Sequence, residues 1–116
     1  MRRLVKRVIV MALLDRVKTR LSDEEIVPKD KELEEYITTA TDRINLRIGT
    51  AELPDSMQSI AVDVAVKLIR RKYYEGIASE GADTLSTSFV ANVLAEYESE
   101  FEQYLKNVNK RVVKFL

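Results

Sequence analysis

The stretch MQSIAVDVAVKLIRRKYY, residues 57–74, is apolar over most of the circumference of a helix. Before its basic end, the charged and hydroxyl residues form one narrow line: Ser59, Asp63, Lys67 and Arg70. The positions between them are Ile60, Ala61, Val62, Val64, Ala65, Val66, Leu68 and Ile69. A helix with so little polar surface is surrounded by other elements. The pattern predicts a hydrophobic central helix over about residues 55–75, in which Asp55 and Gln58 have the form of a capping box.

Two amphipathic helices are predicted before the central one. The second helix is predicted to run from Asp30, as its N-cap, to Gly49, as its C-cap. Its apolar stripe is Leu33, Tyr36, Ile37, Ala40, Ile44 and Ile48. A first helix is predicted around residues 11–21, where Leu13, Leu14, Val17 and Leu21 have helical spacing. The pattern does not decide whether residues 1–10 extend it.

The first residues have a basic and then an apolar part, as in a signal peptide. The apolar run VIVMALL, residues 8–14, is short, and it ends at Asp15 and Arg16 without a small-residue cleavage site. We therefore expect no signal peptide. No segment approaches the ~20 apolar residues that span a bilayer, so we expect no membrane contact.

A long fourth helix is predicted after the central one, with Ser86, Thr87 and Ser88 as candidate N-caps. Its apolar residues step by threes and fours: Val90, Leu94, Tyr97, Phe101, Tyr104 or Leu105, Val108 and Val112. Residues 106–116 either project as a basic and apolar tail or fold back to complete the core. The sequence therefore predicts one all-α domain over residues 1–105, a small bundle of four main helices with a long C-terminal helix.

Charge is balanced overall but uneven along the chain, with 19 basic and 19 acidic residues. The basic residues cluster near the start, at the end of the central helix (Lys67, Arg70, Arg71, Lys72) and near the C-terminus. Cations at the end of a helix also suit its dipole. Such polarity favours a charged partner or neighbouring copies of the chain, and ordinary solvated helix faces are the alternative.

The residue types needed for common enzyme chemistry are missing. The chain has no His, Cys or Trp, and therefore lacks the commonest general base, metal ligand and nucleophile. No phosphate-binding glycine motif or calcium loop is present. A helix-turn-helix across the second and third helices is disfavoured, because its recognition helix is the most apolar one. We expect no catalysis, no metal and no cofactor.

The loop YYEGIASEGADTLSTSF, residues 73–89, holds two of the three glycines of the chain, Gly76 and Gly81. Gly76 is predicted to end the central helix in a left-handed turn. Loops of this length in compact domains are uncommon unless they are functional or disordered. The loop, with Glu80 and Asp83, is therefore interpreted as a subunit or partner contact, and a plain connector is the alternative.

The chain resembles the head-tail connector (adaptor) proteins of long-tailed bacteriophages, also described as DNA-packaging or head-completion proteins. The segments that carry the resemblance are LLDRVKTRL (13–21), LEEYITTATDRINLRIG (33–49), LPDSMQSIAVDVAVKLIRRKYYEGI (53–77), SEGADTLSTSF (79–89) and VLAEYESEFEQYL (93–105). The resemblance starts near Met11, so residues 1–10 are a candidate N-terminal extension. The tail KNVNKRVVKFL, residues 106–116, has no residue-level match.

The resemblance implies a structural virion protein at the neck of the particle, made in the host bacterial cytoplasm. About a dozen copies would form a ring between the portal protein and a stopper or tail-completion protein, and double-stranded DNA would pass through without sequence recognition. The alternative is a small helical DNA-binding protein that acts in packaging or regulation.

Three groups of residues are the candidate contacts. The inter-subunit or partner loop comprises Gly76, Glu80, Gly81, Asp83, Ser86 and Ser88. The portal-docking tail comprises Lys110, Arg111, Val112, Val113, Phe115 and Leu116. The candidate DNA-channel or partner residues are Arg2, Arg3, Lys6 and Arg7.

Overall fold

The structure, a computed structural model, describes residues 2–24, 28–74 and 87–114, and within them the side chains of 7–24, 28–73 and 88–109. These residues form helices and connecting turns, with no strand among them. The helices are α1 (Arg2–Arg20), α2 (Asp30–Ile48), a 3-10 helix (Asp55–Met57), α3 (Gln58–Tyr74), α4 (Thr87–Ala95) and α5 (Glu98–Lys114). The predicted all-α class is confirmed.

α3 carries the largest share of the core, as its composition predicts. Its buried residues are Ala61, Val62, Val64, Ala65, Val66, Leu68 and Ile69, and it packs against α1, α2 and α4. The predicted polar line lies at the surface, since Ser59 and Arg70 are exposed while Asp63 and Lys67 are partly so. Burial of this almost wholly apolar circumference is the main driving force that holds the other helices around α3.

α1 is longer than the segment of residues 11–21 for which a helix was predicted. It begins at Arg2, and its buried stripe is Val10, Leu13, Leu14 and Val17, continued by the buried Leu21 directly after the helix. Residues 2–10 contain neither Gly nor Pro, so nothing local interrupts the helix. Val10 extends the stripe predicted for residues 11–21 by one turn.

α2 has the predicted apolar stripe, and every residue of it is buried. Gly49 is the C-cap in the left-handed conformation, with φ of 74°, as predicted. The predicted N-cap is wrong by one residue: Lys29 holds that position with extended backbone, and no side chain caps the helix. Asp30 is instead the first helical residue, where its carboxylate still suits the helix dipole.

The start of α3 also differs from the prediction. Pro54 precedes the 3-10 helix, and no side chain caps its backbone. Asp55 and Gln58 do meet, but the bond joins their side chains, with Gln58 Nε2 donating to Asp55 Oδ1 at 3.3 Å. A capping box requires bonds from side chain to backbone, so the predicted one is absent here.

The single long fourth helix predicted from the sequence is two helices. α4 ends at Ala95, and α5 begins at Glu98. Between them Glu96 N–H donates to Val93 O at 3.2 Å, and Tyr97 N–H donates to Leu94 O at 3.0 Å. These tighter bonds reach back three residues and replace the four-residue bonds of an α-helix.

α5 is anchored at its first turns, where it packs on α2. Phe101 is fully buried, and Tyr104 and Leu105 lie against the core with part of their surface exposed. The helix continues to Lys114. The molecule is elongated, with extents of 54 × 28 × 24 Å. The division into a domain of residues 1–105 and a tail stays a prediction.

Candidate interaction surface

The predicted loop site lies almost wholly outside the described residues. Gly76, Glu80, Gly81, Asp83 and Ser86 all fall there. Ser88 is described, and it is exposed in the first turn of α4. The role assigned to this loop therefore stays a prediction.

The two other predicted groups are described mainly through their backbone. Lys110 to Val113 belong to α5, whereas Phe115 and Leu116 lie outside the described residues. Arg2, Arg3 and Lys6 belong to the first turns of α1. The side chain of Arg7 is described, and it is exposed.

The basic cluster at the end of α3 is neutralised inside the chain. Lys67 Nζ lies 3.0 Å from Glu96 Oε1, and Arg70 Nε lies 3.3 Å from Glu24 Oε1. The guanidinium of Arg71 stacks on the Phe89 ring, with 4.7 Å between its central carbon and the ring centroid. The cluster that looked available for an anionic partner is therefore largely occupied by the protein itself.

The polar line of α3 (Ser59, Asp63, Lys67 and Arg70) is also bonded to α1. Arg16 donates to the hydroxyl of Ser59 at 2.9 Å, and Arg20 forms an ion pair with Asp63. Exposed pairs of this kind contribute only about 0–1 kcal/mol each, so they orient the helices more than they hold them together. The ion pair of Arg20 with Asp63 also neutralises the one carboxylate in the polar line of α3.

The joint between α2 and α5 is a two-pronged ion pair. Arg47 donates from Nε to Glu98 Oε2 at 3.2 Å and from its terminal nitrogen to Oε1. The guanidinium also lies 6.0 Å from the centroid of the Phe101 ring. The hydrogen bonds from Arg47 lower the pKa of Glu98. This contact places the acidic start of α5 beside the C-terminal end of α2.

A second cluster joins the start of α2 to the end of α3. The Tyr73 hydroxyl donates to Glu32, and Lys72 Nζ lies 3.3 Å from Glu32 Oε1. Burial and the hydrogen bond to Glu32 raise the pKa of Tyr73 to about 12. The bond from Tyr73 in turn lowers the pKa of Glu32. With Tyr36 packed beside Lys72, this cluster fixes the last turn of α3, just before the predicted contact loop.

A groove of about 320 Å³ lies between α3 and α4. It is lined by Lys67, Arg70, Phe89, Val93 and Glu96. Its charged groups already pair within the chain, so the groove has no set of free polar groups that would orient a small ligand. Among the described side chains, no cluster of three carboxylates is placed to hold a metal ion.

The remaining features bear on nucleic acids and membranes. α3 would be the recognition helix of a helix-turn-helix, but its burial between three other helices keeps it out of a DNA groove. Within the part of the chain that the structure describes, no helix has the length and apolar character needed to cross a bilayer.

Sequence reasoning missed the exposed apolar surface on the outside of the helices. Val8 is 65% exposed, Met11 is 47% exposed and Leu46 is 76% exposed. Val8 and Met11 lie out of phase with the buried stripe of α1, and that phase is the signal that could have found them. A surface pair of apolar residues beside Arg7 is a candidate contact for another protein.

Comparison with known proteins identifies a family. Residues 11–104 match the family model described as phage gp6-like head-tail connector protein. No curated protein and no solved structure matches the chain. The match covers the second half of α1, all of α2 to α4 and the anchored turns of α5. It starts at Met11, where the sequence resemblance also starts, and it leaves the first turns of α1 and the end of α5 outside.

Proposed function

Because the chain belongs to the phage gp6-like head-tail connector protein family, we propose that it is a structural virion protein at the junction of head and tail. The match over residues 11–104 is the observation that carries this proposal. In finer detail, copies of the chain form a ring of about a dozen on the portal vertex. The ring continues the DNA channel towards the stopper or tail-completion protein, needs no cofactor and is assembled from chains made in the host bacterial cytoplasm.

The distribution of charge supports a role based on contacts between proteins. The ion pairs of α3 leave its surface close to neutral, whereas basic residues remain at the start of α1 and along the end of α5. α5 remains helical as far as Lys114, well beyond the buried Phe101. We assign docking on the portal to the tail of residues 106–116, where Val112 and Val113 are interspersed with basic residues.

Deletion of the gene from the phage tests the proposed function. We expect capsids that contain DNA and tails that assemble separately, with few joined particles in electron micrographs. A plasmid copy of the gene restores tailed particles and serves as the control. Normal yields of tailed, infectious particles without the protein would contradict the proposal.

The proposed passage of DNA through the ring leads to a separate prediction about DNA binding by the purified chain. A ring that lets DNA move should bind duplex DNA weakly, with strong salt dependence and no sequence preference. Binding can be measured by fluorescence anisotropy at several salt concentrations. Tight binding that prefers one sequence would favour the alternative, a small DNA-binding protein of packaging or regulation.

A further inference from the structure

Two exposed faces of the molecule have complementary chemistry. The first, which we call the α1 face, consists of Arg7, Val8 and Met11. Arg7 and Met11 are four residues apart and Val8 and Met11 three apart, so the three side chains are neighbours on the helix. All three are exposed, and Val8 keeps 65% of its surface accessible. This face therefore combines a cation with uncovered apolar surface.

The second face, which we call the α5 face, consists of Glu102, Leu105 and Val108. These residues are spaced by three and lie on one side of α5. Glu102 is exposed, while Leu105 and Val108 are half-buried. Leu105 lies at the edge of the core, and the apolar line continues past it to Val108. This face therefore combines an anion with apolar surface that the core covers only in part.

The charges around the two faces are opposite in sign. Residues 2–7 include Arg2, Arg3, Lys6 and Arg7, and the first acidic residue of the chain is Asp15. Residues 98–102 include Glu98, Glu100 and Glu102, and the next basic residue is Lys106. Glu98 is paired with Arg47, so Glu100 and Glu102 carry the negative charge beside this face. Pairing of either face with itself would bring like charges together, which opposes association. Pairing of one face with the other brings opposite charges and apolar surfaces together.

We infer that the α1 face of one copy of this chain packs on the α5 face of a second copy. The two faces are different surfaces, so the contact is head-to-tail and repeats from copy to copy, as a ring requires. The inference rests on the ring assembly proposed above, and it identifies the surfaces through which neighbouring copies in that ring meet. Arg7 and Val8 lie outside the residues that match the family model. The family match therefore does not supply this half of the contact.

Reversal of the charges at Arg7 and Glu102 in the full-length chain tests the electrostatic part of the inferred contact. We expect Arg7→Glu or Glu102→Lys alone to weaken self-association by about 5- to 10-fold in sedimentation velocity at low salt. The double variant should regain association, because each contact then has its charges exchanged. Glu35→Lys and Arg43→Glu, at exposed positions of α2, make the same charge changes and should have little effect.

Removal of apolar surface at Val8 tests the hydrophobic part of the inferred contact. Val8→Ser should weaken association by a similar factor, whereas Leu46→Ser should not, although Leu46 is more exposed. Thermal melting of each variant verifies that the monomer is still folded. High salt should weaken the wild-type contact and have less effect on a chain with both charges removed.

Three results would overturn the inference: a wild-type chain that stays monomeric at every concentration, single charge variants that associate normally, or a double variant that does not recover. These results are separable from failure of the proposed function. If single charge variants assemble and join tails normally, only the contact is wrong. If they lose association as expected but the gene deletion still gives normal tailed particles, the contact stands and the connector role is wrong.

Discussion

Replacement of Phe101 by Ala should release α5 from the body of the molecule. Phe101 is fully buried where α5 crosses α2, and it ranks first by size among the fully buried side chains described. Glu98, one turn earlier on α5, is held by Arg47, whose guanidinium also lies against the Phe101 ring. At this joint, the described side chains of α2 and α5 form both an apolar contact and an ion pair. The substitution removes the apolar contact.

The expected cost follows from the burial. Full burial of a side chain such as Phe contributes about 1.5–3 kcal/mol from transfer out of water. The cavity that remains raises the cost of Phe→Ala to about 3–5 kcal/mol. Loss of the cation–π contact with the exposed Arg47 adds roughly 0.5–1 kcal/mol. A domain of this size is stable by only about 5–15 kcal/mol, so the variant loses a large part of its free energy of unfolding.

Urea unfolding followed by circular dichroism measures this change. For a slope of about 2 kcal/mol per molar urea, a loss of about 4 kcal/mol moves the midpoint down by roughly 2 M. Leu46→Ala is the matched control, because Leu46 is exposed and its loss should change stability by less than about 0.5 kcal/mol. A midpoint for Phe101→Ala within ~0.5 M of wild type, with unchanged helical signal, would refute the role assigned to this joint.

Three further predictions concern the acid response, the tail and the loop. Because the hydrogen bond from Tyr73 lowers the pKa of Glu32, ionised Glu32 stabilises the fold at neutral pH, and this contribution is lost as pH falls through its folded pKa. Tyr73→Phe should therefore flatten the acid limb of thermal stability measured against pH, and an unchanged limb would contradict the assignment. Removal of residues 106–116 should leave a cooperatively melting domain that no longer binds the portal in a pull-down; loss of cooperative melting would place the tail in the core. Charge reversal at Glu80 and Asp83 should reduce ring assembly or tail joining, and normal particles would return the loop to a plain connector.

The parts of the fold that follow from one buried face could be predicted from the sequence. The stripe of α2 and the apolar circumference of α3 have a period that only a buried helix explains. Gly49 was predictable as a C-cap because its left-handed conformation is strained for other residues. These features depend on the residues of one segment and need no knowledge of the rest of the chain.

Features that depend on tertiary contacts could not be predicted in this way. The break between α4 and α5 falls at Glu96 and Tyr97, where no Gly or Pro interrupts the pattern. Both residues contact Lys67 of α3, at 3.0 Å from Glu96 and 4.9 Å from the Tyr97 ring centroid. The apolar spacing continues across the break, so the periodicity predicted one helix.

The candidate site shows the same division. The sequence identified basic clusters, but it could not show that Arg70 pairs with Glu24 or that Lys67 pairs with Glu96. Such pairing depends on which helices are neighbours. Conversely, the exposure of Val8 and Met11 could have been predicted from their phase against the stripe of α1, which the packing of α1 on α2 and α3 buries.

The long sequence separation of the joint between Arg47 and Glu98 bears on the order in which the molecule folds. Its two residues are separated by 51 positions, whereas α2 and α3 are consecutive helices with a short connection. Contacts between consecutive elements close small loops and form early, and contacts across long separations form late. During synthesis, α1, α2 and α3 emerge first and can assemble their shared core before α5 exists. The docking of α5 is therefore a late step, and an unfinished chain lacks the α5 face through which we infer that it meets another copy.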